Sequence, residues 1–248
     1  MTAPDPDSVC SGCGRPRTIE VIQVPGLGPR RFPIDCPCEA ATREMAASEE
    51  RLARREARVR RLLAESGIGP RHRDATFETF EVTGHSAPIL EICRAFVARF
   101  PDGGRGLALA GPPGTGRTHL GVAITRALIE REAAALMFNV PALLRTGREH
   151  LRTDRARFDA LLDRLCRCDH LLLDDLGREQ PTAWTRETLY LVVNARYEAC
   201  RATSVVTNLD LDQLAAHVGA ATADRLAETN AAYWCEWPSY RRRRRAGG

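Results

Sequence analysis

Apolar positions along this chain change period repeatedly, and each change marks an element. Ile89, Ile92, Cys93, Phe96, Val97 and Phe100 recur at helical spacing, and Pro101-Asp102-Gly103-Gly104 closes that helix. Leu107-Ala108-Leu109-Ala110 then reads as a short strand, and His119-Leu120, Ile124 and Leu128 as one face of the next helix. Ala135 to Val140 is a second strand, followed by helices over Pro141 to Leu151 and Arg155 to Cys168. Leu171-Leu172-Leu173 has the unbroken apolar character of a parallel strand covered on both faces. A helix through Leu189, Val192, Val193, Arg196 and Tyr197 leads to the strand Ser204 to Asn208. Leu211 and Leu214 begin another helix, Asp224-Arg225-Leu226 lies on the next, and Tyr233 to Trp237 reads as a last strand. Only 40 residues follow Asn208 (248 − 208), too few for a last strand and a full helical lid as well. The alternation predicts an α/β domain.

The first third of the chain has a different texture. Thr18 to Val24 and Arg31 to Ile34 can be strands joined by a turn over Pro25-Gly26-Leu27-Gly28-Pro29. Glu39 to Ser66 reads as one long charged helix with a thin stripe at Met45, Leu52 and Val59, then Leu62 and Leu63. Such a stripe either docks on a neighbour or belongs to a solvated spacer. Gly67-Ile68-Gly69-Pro70 ends the helix and marks a boundary, and Phe77, Phe80 and Val82 follow in a loop expected to lie on the core.

Between the strand at 107–110 and its helix stands Gly111-Pro112-Pro113-Gly114-Thr115-Gly116-Arg117-Thr118. Glycines there let successive backbone N–H groups turn around an anion, and the helix offers its positive end to the same charge. Thr118 is placed to meet Mg²⁺. Lysine is the usual residue before it, and this chain has Arg117. Guanidinium is wider and planar where ammonium is a compact point charge. Weakened nucleotide binding and strongly lowered hydrolysis are therefore expected. Asp174 and Asp175 end the Leu171 strand on the edge that faces this loop. Asp174 is expected to hold Mg²⁺ and Asp175 to orient or deprotonate the attacking water.

Charge and cysteines add to this picture. All 36 basic residues are arginine and the formal charge is +4, with arginine concentrated at 51–61 and unbroken from Arg241 to Arg245. Lysine's absence from the whole chain makes Arg117 one case of a general exclusion. The Arg241 run is either a solvated tail or a contact for DNA phosphates. Cys10 and Cys13, with Cys36 and Cys38, bracket the expected hairpin as a zinc-ribbon-like site of four cysteines. Free or disulfide-paired thiols are the alternative, and a cytoplasmic setting argues against disulfides. The Cys-x-Cys half departs from the commoner two-residue spacer. Cys166 and Cys168 repeat that spacing where a helix meets a strand and read as packing. No apolar run is long enough to span a membrane, and no basic-then-apolar leader opens the chain, so a cytoplasmic protein is expected.

In order and spacing these motifs resemble the AAA+ ATPases of the DnaC, DnaI and IstB type, replicative helicase loaders and transposition helpers. The stretches that carry the resemblance are Ser66-Gly67-Ile68 with Phe77 and Phe80, the Gly111 to Leu120 loop, Leu171 to Gly177, Arg196-Tyr197, Thr207-Asn208-Leu209, Asp224-Arg225-Leu226 and Trp237-Pro238-Ser239-Tyr240-Arg241. The resemblance implies a P-loop NTPase with a parallel five-stranded sheet of order 5-1-4-3-2 between helices. Together with the readings above, this divides the chain into a zinc-ribbon-like four-cysteine module (1–39), a charged partner-binding helix (40–66), an ATPase domain (67–240) and a basic tail (241–248). ATP contacts are expected from Gly111, Pro112, Pro113, Gly114, Thr115, Gly116, Arg117, Thr118, His119 and Asp174, with Mg²⁺ at Thr118 and Asp174 and Zn²⁺ at the four cysteines. Asn208 is implied as the sensor that polarises the attacking water, and Arg225 as an arginine finger for a neighbouring subunit, so the ATP state is expected to oligomerise. Ala221 stands where relatives often carry a further arginine. The helices from Pro141 to Cys168 are implied to contact single-stranded DNA. The function implied is ATP-dependent loading of a hexameric replicative helicase; a transposition helper and a nucleotide-incompetent adaptor are the alternatives.

Overall fold

Residues 9–34 and 36–240 are described by a computed structural model. The Arg241–Arg245 run lies outside the described residues. Packing divides the chain into two compact units between Arg58 and Val59, within one helix.

In the first unit, β1 (Ile19–Val24) and β2 (Gly28–Pro33) form an antiparallel hairpin with Val24 opposite Gly28. Leu27 N donates to Val24 O at 3.1 Å, which places Pro25 and Gly26 at the turn's centre. Gly26 has φ of 80°, so the turn takes the proline-glycine form and is shorter than the sequence suggested. Helix α1 (Pro37–Glu65) buries none of its residues, and Met45 and Leu52 are exposed. The boundary expected near Gly67 therefore falls earlier in packing terms. Val59, Leu62 and Leu63 already lie against the core of the second unit.

The second unit is a parallel sheet between two helical layers. Its strands are β3 (Gly106–Ala110), β4 (Ala135–Asn139), β5 (His170–Leu176), β6 (Ala202–Thr207) and β7 (Asn230–Trp234), ordered β4-β5-β6-β3-β7. Numbered from β3, this is the expected 5-1-4-3-2. Helices α2 (Ala87–Arg99) and α3 (Arg117–Glu130) cover one face, where Leu172 meets Leu120, Ile124 and Leu128. The other face carries α4 (Val140–Thr153), α5 (Arg155–Arg167), α6 (Ala183–Glu198), α7 (Leu211–Val218) and α8 (Ala220–Thr229). Leu171 and Leu173 point to that side, so β5 is apolar on both faces as its run required. Edge strand β4 is not left open, because Met137 N donates to Ser66 O at 2.7 Å.

The last strand begins at Asn230 and ends at Trp234, three residues before the expected Tyr233–Trp237. Its pairing with β3, from Gly106–Asn230 to Ala110–Trp234, is what holds the weakly apolar Asn230-Ala231-Ala232 in strand form.

Two buried polar groups tie the layers together. His170, fully buried between Phe96 and Phe100, shares a hydrogen bond of 2.9 Å with Ser204 Oγ, and burial pulls its pKa down to about 3. Arg196, also fully buried, donates to Leu165 O at 2.7 Å, Cys168 O at 2.8 Å and Ala202 O at 2.6 Å. Its charge thus rests on the carbonyl end of α5, the negative end of that helix. Cys168 is buried beside it, with Nη1 3.1 Å from Sγ, in the packing role expected of it.

Candidate functional site

All four strand ends that matter open on one edge of the sheet, where the carboxyl termini of parallel strands leave a crevice. The phosphate loop runs from β3 into α3. Gly114 and Gly116 hold φ of 92° and 89°, a region that suits glycine. Space demands glycine as well: a Cβ on Gly116 would stand 2.7 Å from Phe80 Cε2, and one on Gly114 2.1 Å from Ser239 Oγ.

Arg117 is the first residue of α3 and only 5% exposed. Its guanidinium turns beneath the loop. Nη1 donates to Thr207 O, while Nη2 donates to Pro112 O at 3.0 Å and to Asn208 Oδ1 at 2.5 Å. One planar group thereby links the loop to the end of β6. Burial lowers the Arg117 pKa, and the nearby Asp174 and Asp175 charges work in the opposite direction.

Thr118 and Asp174 are brought together: Thr118 Oγ1 donates to Asp174 Oδ1 at 3.0 Å. Burial, and then the charge of Asp175, pushes Asp174 up to about 6. Between its Leu173–Val205 and Leu176–Thr207 pairings with β6, β5 carries one extra residue. This bulge falls on the two aspartates, and Asp175 has φ of 56°. Asn139 Nδ2 donates to Asp175 Oδ2 at 3.0 Å, a contact the sequence reading missed. Its signal was a polar residue at the carboxyl end of β4. The same side chain also caps α4, accepting from Ala142 N at 3.3 Å, and that ordinary role hides the other one.

A cavity of about 270 Å³ lies over the loop, walled by Gly114 to His119 on one side and by Arg71, His72, Phe80 and Glu81 on the other. His119 Nε2 is 2.7 Å from Thr76 O, and its ring meets Phe80 edge-on at 5.5 Å, so it fastens the opposite wall to α3. Trp237 and Tyr240 complete the wall. The cradle, the hydroxyl–carboxylate pair and the cavity together fit a nucleotide and Mg²⁺.

Arg225 is not brought into this cluster. It lies on α8, with its guanidinium 5.3 Å from the Tyr190 ring centre and 5.5 Å from that of Tyr197, and Nη1 donates to Ala221 O at 3.0 Å. A separate cavity of about 720 Å³ is lined by Arg145, Arg148 and Arg152 of α4 together with Arg178. Among the described residues no helix is long and apolar enough to cross a membrane.

In the first unit the Sγ atoms of Cys10, Cys13, Cys36 and Cys38 all lie within 4.8 Å of one another. Four thiolates about 2.3 Å from a tetrahedral ion stand about 3.8 Å apart, so the donor set and its spacing fit Zn²⁺. The thiols perturb one another: Cys10 foremost pushes Cys38 up, while the Arg15 backbone leads in lowering Cys13 to about 7. Glu39 accepts from Cys36 N at 3.4 Å and pairs with Arg17, bracing the cluster.

Residues 40–247 match the family described as IstB-like ATP binding protein. The replicative helicase loader DnaC of Escherichia coli (strain K12) is 26% identical over 207 residues, spanning 83% of this chain and 83% of that one. The uncharacterized protein YdaV of the same strain is 27% identical over 190 residues, 75% of this chain and 76% of that one. Among solved structures, the DnaC helicase loader aligns with a TM-score of 0.62 at 26% identity, covering 68% of this chain and 100% of that one. Since the family match runs through the phosphate loop, the strand-end carboxylates and the residues that close the cavity, the chain belongs to the IstB-like ATP-binding proteins.

Proposed function

We propose that this chain is an ATP-dependent loader of a hexameric replicative helicase onto single-stranded DNA. The observation that carries this reading is the similarity to DnaC, which spans 83% of both chains. The loop amides grip the phosphates, and Thr118 and Asp174 hold Mg²⁺. That ion withdraws charge from the β- and γ-phosphate oxygens when bound. Asp175, steered by Asn139 and by the bulge in β5, orients the attacking water and accepts its proton. Asn208 acts as the sensor that polarises the attacking water, and Arg225 serves the nucleotide of a neighbouring subunit in an ATP-dependent oligomer. The arginines of α4 and Arg178 take single-stranded DNA by its phosphates, without reading sequence. The four-cysteine module holds Zn²⁺ and, with α1, grips the helicase in the cytoplasm.

One observation favours a second reading. Three acceptors already occupy the Arg117 guanidinium, which suits an adaptor that binds nucleotide and helicase with little turnover. Size-exclusion chromatography with the hexameric replicative helicase of the same organism decides whether loading is the right context. Co-elution is expected, together with preference for single-stranded over duplex oligonucleotides in fluorescence anisotropy. Duplex preference and co-elution with a transposase instead would overturn the reading in favour of a transposition helper.

A further inference from the structure

After β7 the chain does not leave the sheet edge but folds back over the phosphate loop. Cys235 N donates to Ala110 O at 2.7 Å, extending the β3–β7 pairing to the start of the loop. Trp237 Nε1 then donates to Thr115 O at 2.8 Å, from an indole that is 9% exposed, and Tyr240 N donates to Gly114 O at 2.9 Å. Ser239 fills the space over Gly114 that a Cβ would need.

We infer that this strap, Cys235 to Tyr240, sets the orientation of the phosphate-gripping amides, with Trp237 as the positioning residue. The inference rests on the nucleotide reading of the site given above. In a trans peptide unit the carbonyl and the following N–H point to opposite sides. Holding the Gly114 carbonyl outward therefore turns the Thr115 N–H the other way, and holding the Thr115 carbonyl outward does the same for the Gly116 N–H. The Thr115 and Gly116 N–H groups are thus turned away from the strap's donors, in a loop whose Gly114, Thr115 and Gly116 line the cavity. Left alone, a loop with left-handed glycines at 114 and 116 can rotate these peptide planes at little cost. Two donors from the strap remove that freedom before any ligand arrives, so the ordering cost is not charged against binding.

The strap also follows the pocket's own geometry. Tyr240 and Trp237 both line the nucleotide cavity, so the segment that orients the loop also forms part of the wall that closes over it. Trp237 does not act on the reacting atoms; it acts through Thr115.

The test removes the indole donor. Trp237→Phe and Trp237→benzothienylalanine, the second keeping ring shape and losing only the N–H, are titrated beside wild type with Mg-ATP and with inorganic tripolyphosphate. Both ligands are expected to lose affinity by about 5- to 10-fold, the size of one neutral hydrogen bond. The benzothienylalanine variant should do so with its melting temperature unchanged. An equal loss for the two ligands marks an effect on the phosphate cradle, because a change at the base would spare tripolyphosphate, and the unchanged melting temperature excludes general destabilisation. If wild type binds both ligands and the benzothienylalanine variant binds them equally well, the strap inference is overturned and the nucleotide reading stands. If wild type binds neither, the nucleotide reading is overturned and the strap inference with it.

Discussion

Arg117→Lys is expected to raise ATP turnover on the order of 10²-fold, the usual weight of one well-aimed charge on a developing oxyanion. The guanidinium in this structure does not extend over the loop. It is turned beneath it, held by Pro112 O, Thr207 O and Asn208 Oδ1. Two costs follow for catalysis. The positive charge that a lysine would bring to the β- and γ-phosphates is drawn back toward β6, and the amide oxygen of Asn208 is occupied by Arg117. A lysine is compact, strongly hydrated and carried on a flexible stem, so it can follow the phosphates without bridging the loop to β6. The measurement is phosphate release at saturating ATP, with and without single-stranded DNA. Unchanged turnover in the variant would show that the guanidinium already does the lysine's work.

The whole-chain absence of lysine bears on how Arg117 is understood. With all 36 basic residues arginine, the residue at 117 reflects a bias on the entire sequence and says little about selection for an idle site. Asp174 and Thr118 remain paired, and Asp175 remains supported by Asn139. An abandoned site has no physical reason to keep that arrangement.

Removing zinc is expected to unfold the N-terminal module while leaving the second unit intact. Among the described residues up to Arg58, the only buried apolar side chains are Cys10 and Cys36. Val21, Ile22, Leu27 and Phe32 of the hairpin are exposed, and α1 buries nothing. A module with so small a core would depend on a bound metal, and structural Zn²⁺ contributes on the order of 10 kcal/mol in comparable small domains. Cys10→Ser, or a strong chelator, should therefore abolish the dispersed amide signals of β1 and β2 and release Zn²⁺ to a colorimetric reporter. The thermal transition of residues 59–240 should hardly move. A chelated protein that keeps its hairpin signals would contradict the zinc assignment.

Much of this was legible because the chemistry coincides with changes of hydrophobic period. The loop at 111–118 sits where a strand pattern gives way to a helix pattern, and the aspartates sit where an apolar run stops. Sequence could place those residues at strand ends because nothing else satisfies both signals. It could not find Asn139, whose capping of α4 already accounts for an asparagine there. Nor could it see that Trp237 serves the loop, since Tyr233 to Trp237 reads as strand until the pairing with β3 shows that it ends at Trp234. Arg225 was legible as a residue and not as a contact, because its stacking on Tyr190 and Tyr197 depends on the docking of α8 against α6. The division at Arg58 was hidden as well: helix α1 runs through it with no break in its charged pattern.

The loop from Gly111 to Thr118 is expected to be a working nucleotide cradle despite its arginine. Calorimetric titration of the full chain with Mg-ATP, beside Gly114→Val, tests it most directly. Gly114 has φ of 92°, and a Cβ there would stand 2.1 Å from Ser239 Oγ, so valine cannot keep the loop's shape. Saturable one-to-one binding by wild type is predicted, with none by Gly114→Val at unchanged circular dichroism. No binding by wild type, or equal binding by the valine variant, would contradict it.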